Sequence, residues 1–183
     1  MRAIYLSILL AAASGLQGGE THLAAPCAPV WDRTTDVMQS LGFEIIGGRS
    51  MGTTVIFQHA YNTREWKTFA AKAGQVAQTG EGLLVTVHGL RPYRAEVHYY
   101  DVNIPGWRDG TRSCLVRIDM DWAGWKRSFF SDGPERFKST GSAEERIALL
   151  FRESIRAAGL LNLVHQDVID RQTAEEREKP PTQ

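Results

Sequence analysis

From Leu83 to Phe130 the chain alternates apolar and polar positions more regularly than anywhere else. Leu83, Val85 and Val87 interleave with Leu84, Thr86 and His88. Ala95, Val97 and Tyr99 interleave with Arg94, Glu96, His98 and Tyr100, and Cys114, Val116, Ile118 and Met120 with Leu115, Arg117, Asp119 and Asp121. A period of two with one apolar and one polar phase belongs to antiparallel strands that cover a core on one side and face water on the other. Gly89-Leu90-Arg91-Pro92 reads as a turn, Ile104-Pro105-Gly106 with Asp109-Gly110 as a longer break, and Ala123-Gly124 as a tight return into Trp125 to Phe130. The expectation is a four-stranded meander.

The flanking segments carry a different period. Val30, Thr34, Val37, Met38 and Leu41 share one helical face, with Pro29 suited to the first turn and Gly42 to the residue that ends the helix. Ser142 and Glu145 read as a capping box before a second helix whose stripe is Ile147, Leu150, Phe151, Ile155 and Ala158, closed by Gly159. Phe43 to Ile46 and Thr53 to Gln58 read as a hairpin. Asn62 or Thr63 can cap a short helix with Trp66, Phe69, Ala70 and Ala73 on one face. Leu160 to Ile169 can add a turn or two of helix with Leu161, Val164 and Val168 inward. These elements predict an α+β fold: an antiparallel β-sheet, hairpin plus four-stranded meander, covered on one face by N-terminal and C-terminal helices.

Length and charge narrow the class. The 183 residues suffice for one domain with a core, and 21 Lys and Arg balance 21 Asp and Glu, so no basic excess invites nucleic acid. Met1-Arg2 followed by the apolar run Ala3 to Ala13 is too short to span a bilayer and reads as a secretory signal. The organisation expected is a signal peptide over 1–18, a linker over 19–28, one domain over 29–170 and a disordered charged tail over 171–183, with no transmembrane segment in the mature chain. Cys27 and Cys114 either form a disulfide in an oxidising compartment or, for Cys114 in the apolar phase of its strand, leave a buried thiol.

Cys27-Ala28-Pro29-Val30-Trp31-Asp32, continuing through Val37-Met38-Gln39-Ser40-Leu41-Gly42-Phe43-Glu44-Ile45-Ile46 to Gly52 and a strand, resembles the opening of small domains in bacterial envelope lipoproteins. Lipoprotein component C of the outer-membrane barrel assembly machinery has domains of this kind. The resemblance implies a non-catalytic module that binds or scaffolds. Leu16-Gln17-Gly18-Gly19 is similar to a lipobox but carries Gly19 where the lipidated cysteine belongs, and Cys27 follows Pro26 rather than a small residue. A periplasmic or secreted protein without lipid is therefore expected, its partner an envelope or extracellular protein or glycan.

Little in the sequence points to catalysis. His88, Glu96 and His98 share the wet face if the intervening turn holds an odd number of residues, and they then offer the ligand types of a small metal-dependent hydrolase. Ordinary polar residues on a solvated face are the weightier reading, and neither a metal nor another cofactor is expected. Asp119 and Asp121 form a carboxylate pair on one strand face, but Arg117, Lys126 and Arg127 nearby favour an ion-pair network. No Gly-x-Ser-x-Gly frame and no phosphate loop occur. Trp107, in a loop rich in Pro, Gly and Asp, is either a lid on the core or a partner-binding aromatic.

Overall fold

The computed structural model describes residues 19–49, 54–59, 77–78, 86–103, 112–127 and 132–178. The strands are β1 (Gly19–Leu23), β2 (Phe43–Arg49), β3 (Thr54–His59), β4 (Ala77–Gln78), β5 (Thr86–Asn103), β6 (Arg112–Arg127) and β7 (Asp132–Ser139); the helices are α1 (Cys27–Ser40), α2 (Ser142–Ala157) and α3 (Leu163–Glu178). All pairings among the described residues are antiparallel, in the order β2-β3-β5-β6-β7-β4, with β1 added to β6. Helices pack against one face of this sheet, so the α+β architecture is as the two periodicities predict. No described helix is long and apolar enough to cross a membrane. The expected helix around Trp66 and the loop of Trp107 lie outside the described residues.

The spine is the β5–β6 hairpin, and here the strands are divided differently from the expectation. Gly89 to Pro92 is not a turn. β5 runs straight through it, and the pairing with β6 shifts register between His88 and Arg91 and again between Pro92 and Arg94. Each shift places one extra residue on β5, so the Gly and Pro mark bulges, where a missing N–H and a missing Cβ are tolerated inside a sheet. Ala123-Gly124 is not a return either: Ala123 pairs with Arg91 on one side and Arg136 on the other. The small side chains sit in mid-sheet, and β6 continues to Arg127.

One edge of β6 is paired by β5 along most of its length, and the other is divided between two strands. Gly19 to Leu23 pair with Ile118 to Cys114, and Trp122 to Arg127 pair with Phe137 to Asp132. Met120 falls in the gap between them, and Glu144 of α2 fills that gap: its carboxylate accepts the Met120 N–H, its own N–H and, at 2.7 Å, the Ser139 hydroxyl. Glu144 is buried, and desolvation raises its pKa above the usual value despite these donors. The capping box is therefore not formed. The N-cap of α2 is Gly141 at φ 86°, with no side-chain cap, and the adjacent carboxylate turns inward instead. Gly19 lies so close to this helix that a Cβ would come within 2.3 Å of the Glu144 carbonyl carbon. The expected linker over 19–28 is thus an edge strand and the start of α1, recruited by an unpaired sheet edge rather than by its own alternation.

The core lies between the sheet and the first two helices. Val30 and Met38 of α1, and Ile147, Phe151 and Ile155 of α2, are buried against the apolar phase of β5 and β6, with Trp122 and Phe137 closing one end. Leu150 packs at the margin, whereas Ala158 is exposed. Gly42 at φ 87° ends α1 and lets Phe43 fold back into the core, and Gly159 at φ 68° ends α2. Tyr99 donates its phenol hydrogen to Thr34 Oγ1 at 2.6 Å, because the Thr34 hydroxyl is itself committed to the Trp31 carbonyl. Burial holds that phenol well above its ordinary pKa. Cys27, at the start of α1, and Cys114, in the fully buried phase of β6, are joined by a disulfide.

The last helix differs from its expectation in face and length. Val164 is exposed, and α3 turns Gln166 and Ile169 inward. Asn162 caps it through its side-chain oxygen, which accepts the His165 N–H at 3.2 Å. The helix continues past Arg171 to Glu178, where a disordered tail was expected. A polar sequence holds this helix because its anchors are polar: Arg152 of α2 pairs with Asp170, and Gln166 donates to Asp170 Oδ1 at 3.0 Å.

Candidate functional site

The phase of each strand that avoids the core builds a grid on the opposite face. Across β3, β5, β6 and β1 one row reads Thr54, His98, Arg117 and Glu20. The next row is Ile56, Glu96 and Asp119, and the one beyond is Gln58, Arg94 and Asp121. Directly opposite residues in an antiparallel sheet share a face and sit within side-chain reach, so the alternation seen along each strand becomes a network across strands.

The charges in that grid are paired. Arg94 Nη2 lies 2.5 Å from Glu96 Oε1, and Arg117 Nε lies 3.1 Å from Asp119 Oδ2. The Arg117 guanidinium is held further toward its charged form by its hydrogen bond to Asp119. His98 sits at the centre, with Nε2 3.5 Å from Asp119 and 3.7 Å from Glu96, and Nδ1 3.1 Å from the Thr54 hydroxyl. Its ring stacks against Tyr100 at 6.4 Å. These side chains are between about one fifth and two fifths exposed, which is wet enough to screen the ion pairs and leave them worth little to stability.

The grid unites Glu96 with His98 and excludes His88. Because Gly89 to Pro92 is strand rather than turn, His88 lies further back along β5, paired with Trp125, while Glu96 pairs with Asp119. Along the unbulged β6 their partners Trp125 and Asp119 are six residues apart, about 20 Å at the usual rise. The three-residue ligand set on which the hydrolase reading stands is thus dispersed. Among the described residues no group of three or more His, Cys, Asp or Glu is arranged to hold a metal ion. Asp119 and Asp121 do share the face, and the nearest cation to Asp119 is Arg117, in keeping with an ion-pair network rather than paired-carboxylate chemistry.

Sequence reasoning missed Thr54 and Glu20, since neither has a distinguishing pattern and only cross-strand register brings them to His98 and Arg117. A hydroxyl on one imidazole nitrogen and carboxylates near the other is the composition of a proton relay. Acyl transfer also needs donors aimed at an oxyanion in a water-excluding hollow, whereas the backbone N–H groups beneath this grid are committed to the ladder. The chemistry available is recognition: both signs of charge, an imidazole, and exposed aromatic rings at Tyr100 and Trp125. Tyr93 extends the aromatic rim, with Arg136 stacked 5.0 Å over its ring.

No protein-family model matches the chain, and comparison with curated proteins and with solved structures finds no match.

Proposed function

We propose that the chain is an exported, non-catalytic domain that binds a protein partner of the cell envelope or extracellular space on the open face of its sheet. The observation that carries this reading is the grid itself, a partly exposed array of Arg94, Glu96, His98, Arg117 and Asp119 with the exposed ring of Tyr100 beside it. Small ligands are held in concave sites, so a broad face of mixed charge and exposed aromatics suits a macromolecule. The balance of 21 cations against 21 anions argues for a protein rather than a polyanion. Export is supported by the Cys27–Cys114 bridge, the apolar run after Arg2, and the resemblance of Cys27 to Ile46 to envelope modules.

Photo-crosslinking in the native host tests this. A benzophenone side chain at Tyr100 should give a discrete cross-linked partner, and adding Arg94→Glu should weaken the band by reversing a charge in the grid. The same probe at Leu149, exposed on α2, should give none. Cross-links from Leu149 with none from Tyr100 would place the working surface on the helices and refute the proposal.

A further inference from the structure

The outer edge of β1 is half filled by the protein's own side chains. Gln166 spans two backbone groups with one amide: its Oε1 accepts the Ala24 N–H at 2.8 Å, and its Nε2 donates to the His22 carbonyl at 2.9 Å. The Asn162 N–H completes this part of the edge on the Ala24 carbonyl at 3.0 Å. A buried amide is here doing what a neighbouring strand would do, and it is placed on the side of β1 that faces away from β6.

The same pair of groups recurs one step back along the strand. In an antiparallel strand the N–H and C=O of one residue point to the same side, and that side alternates with each residue. The His22 N–H and the Glu20 carbonyl are therefore turned outward with the His22 carbonyl and the Ala24 N–H. They repeat the pair spanned by Gln166, about 7 Å away at strand spacing. Among the described residues neither has a hydrogen-bond partner. This end of the strand borders a cleft of about 450 Å³, lined on one side by Glu20 to His22 and on the other by Ile169, Thr173 and Ala174 of α3 together with the Arg152–Asp170 ion pair.

We infer that the Glu20–His22 edge is a strand-addition site that takes a short extended segment of a partner polypeptide, one of whose residues makes on His22 and Glu20, through its own C=O and N–H, the contact that the Gln166 side-chain amide makes on Ala24 and His22. The occupant is peptide rather than a generic polar ligand because the filled half of the edge shows the chemistry that the open half is spaced for: one carbonyl and one N–H, held coplanar. Cleft volume admits roughly three residues. Side chains directed toward α3 meet Ile169, Thr173 and Ala174 beside the Arg152–Asp170 pair, whose charges are already matched, so small uncharged residues fit. The imidazole of His22 does not obstruct the edge, because its Nε2 is held 2.7 Å from Ser113 Oγ on β6. Of the other outer strands, β2 is bulged between Ile45 and Gly47, a common way of blunting an edge, and β4 is only two residues long. This inference is independent of the sheet-face proposal.

A blocked tripeptide, acetyl-Ala-Val-Ala-amide, titrated into the full chain and followed by amide chemical shifts, tests it. Saturable shifts should appear at His22 and its neighbours with a Kd on the order of millimolar, as such a short contact allows. The backbone N-methylated peptide, which cannot donate, should bind at least about tenfold more weakly. His22→Pro removes the outward N–H without touching the ladder to β6 and should abolish binding, whereas His22→Ala keeps the N–H and should retain it. Absence of shifts at Glu20 to Ala24, equal binding of the N-methylated peptide, or unchanged binding by His22→Pro would each overturn the inference. Should His22→Pro fail to fold, the methylated peptide still decides. Concentration-dependent dimerisation that shifts these amides without peptide would name a second copy as the occupant and overturn it too.

Discussion

Removing the Cys27–Cys114 bridge by the double change Cys27→Ala, Cys114→Ala should cost the domain several kcal/mol. The two cysteines are 87 residues apart in sequence, and closing a loop of that length in the unfolded chain carries an entropy of about 15 cal/mol/K, or about 4.6 kcal/mol at 25 °C, in the chain-entropy account. The location of the bridge makes the tether effective, because it ties the first turn of α1 to the middle strand of the sheet before any of the intervening hairpins need form. Cys114 is also fully buried, so the alanine leaves a small void that adds to the loss. Urea melts of oxidised wild type, reduced wild type and the double variant separate the contributions: the first difference reports the tether, the second the void. For a chain of this length the tether corresponds to a fall in Tm of roughly 10–15 °C. A loss on reduction below about 2 kcal/mol, with an unchanged m-value, would refute the idea that loop closure in the unfolded state is what the bridge supplies.

Glu144→Gln should change the pH dependence of stability in a defined direction. The folded pKa of Glu144 is raised, so its favourable contribution is fully present below the unfolded value near 4.5 and is lost as pH rises through the folded value. Relative to the Gln variant, wild type should therefore be most stable at acid pH and lose that advantage toward neutrality; a difference that is flat, or that grows with pH, would contradict the burial argument. Phe151→Ala deletes a fully buried ring from α2 and should cost about 3–5 kcal/mol in denaturant melts, with less than about 1 kcal/mol meaning that the stripe does not pack on the sheet. Gln166→Ala orphans the Ala24 N–H and the His22 carbonyl together, so a loss of about 1–3 kcal/mol is expected, with faster hydrogen exchange at Ala24; unchanged protection there would show that another group covers the edge. Intact-mass measurement on protein from the native host should find a mature chain lacking Arg2 to Ala13, and an unprocessed Met1 would remove the case for export.

Strand phase and helix stripe are local properties, and the sequence alone determined them. Ala95, Val97 and Tyr99 of β5, Cys114, Val116, Ile118 and Met120 of β6, the Val30–Met38 face of α1 and the Ile147–Phe151–Ile155 face of α2 all occupy the core as their spacing requires, because side-chain direction follows from backbone geometry within a few residues. Gly42 and Gly159 end their helices for the same reason, one residue with a positive φ sufficing. Register and edges are not local, and only the tertiary structure decided them. Gly89 to Pro92 has the composition of a turn and becomes a pair of bulges, because β6 continues past it and keeps both sides of the ladder paired. That choice moves His88 away from Glu96 and His98, and brings Thr54, Arg117 and Asp119 to His98 instead. Gly19 to Leu23 has no alternation that marks a strand; it is one because β6 has an open edge there and Gly19 alone fits against the Glu144 backbone. Glu144 and Gln166 look in sequence like ordinary helix-surface residues. Each is buried because a backbone group 24 or 142 residues away has no other partner, and the need to satisfy such a group can be seen only once the strands are in place.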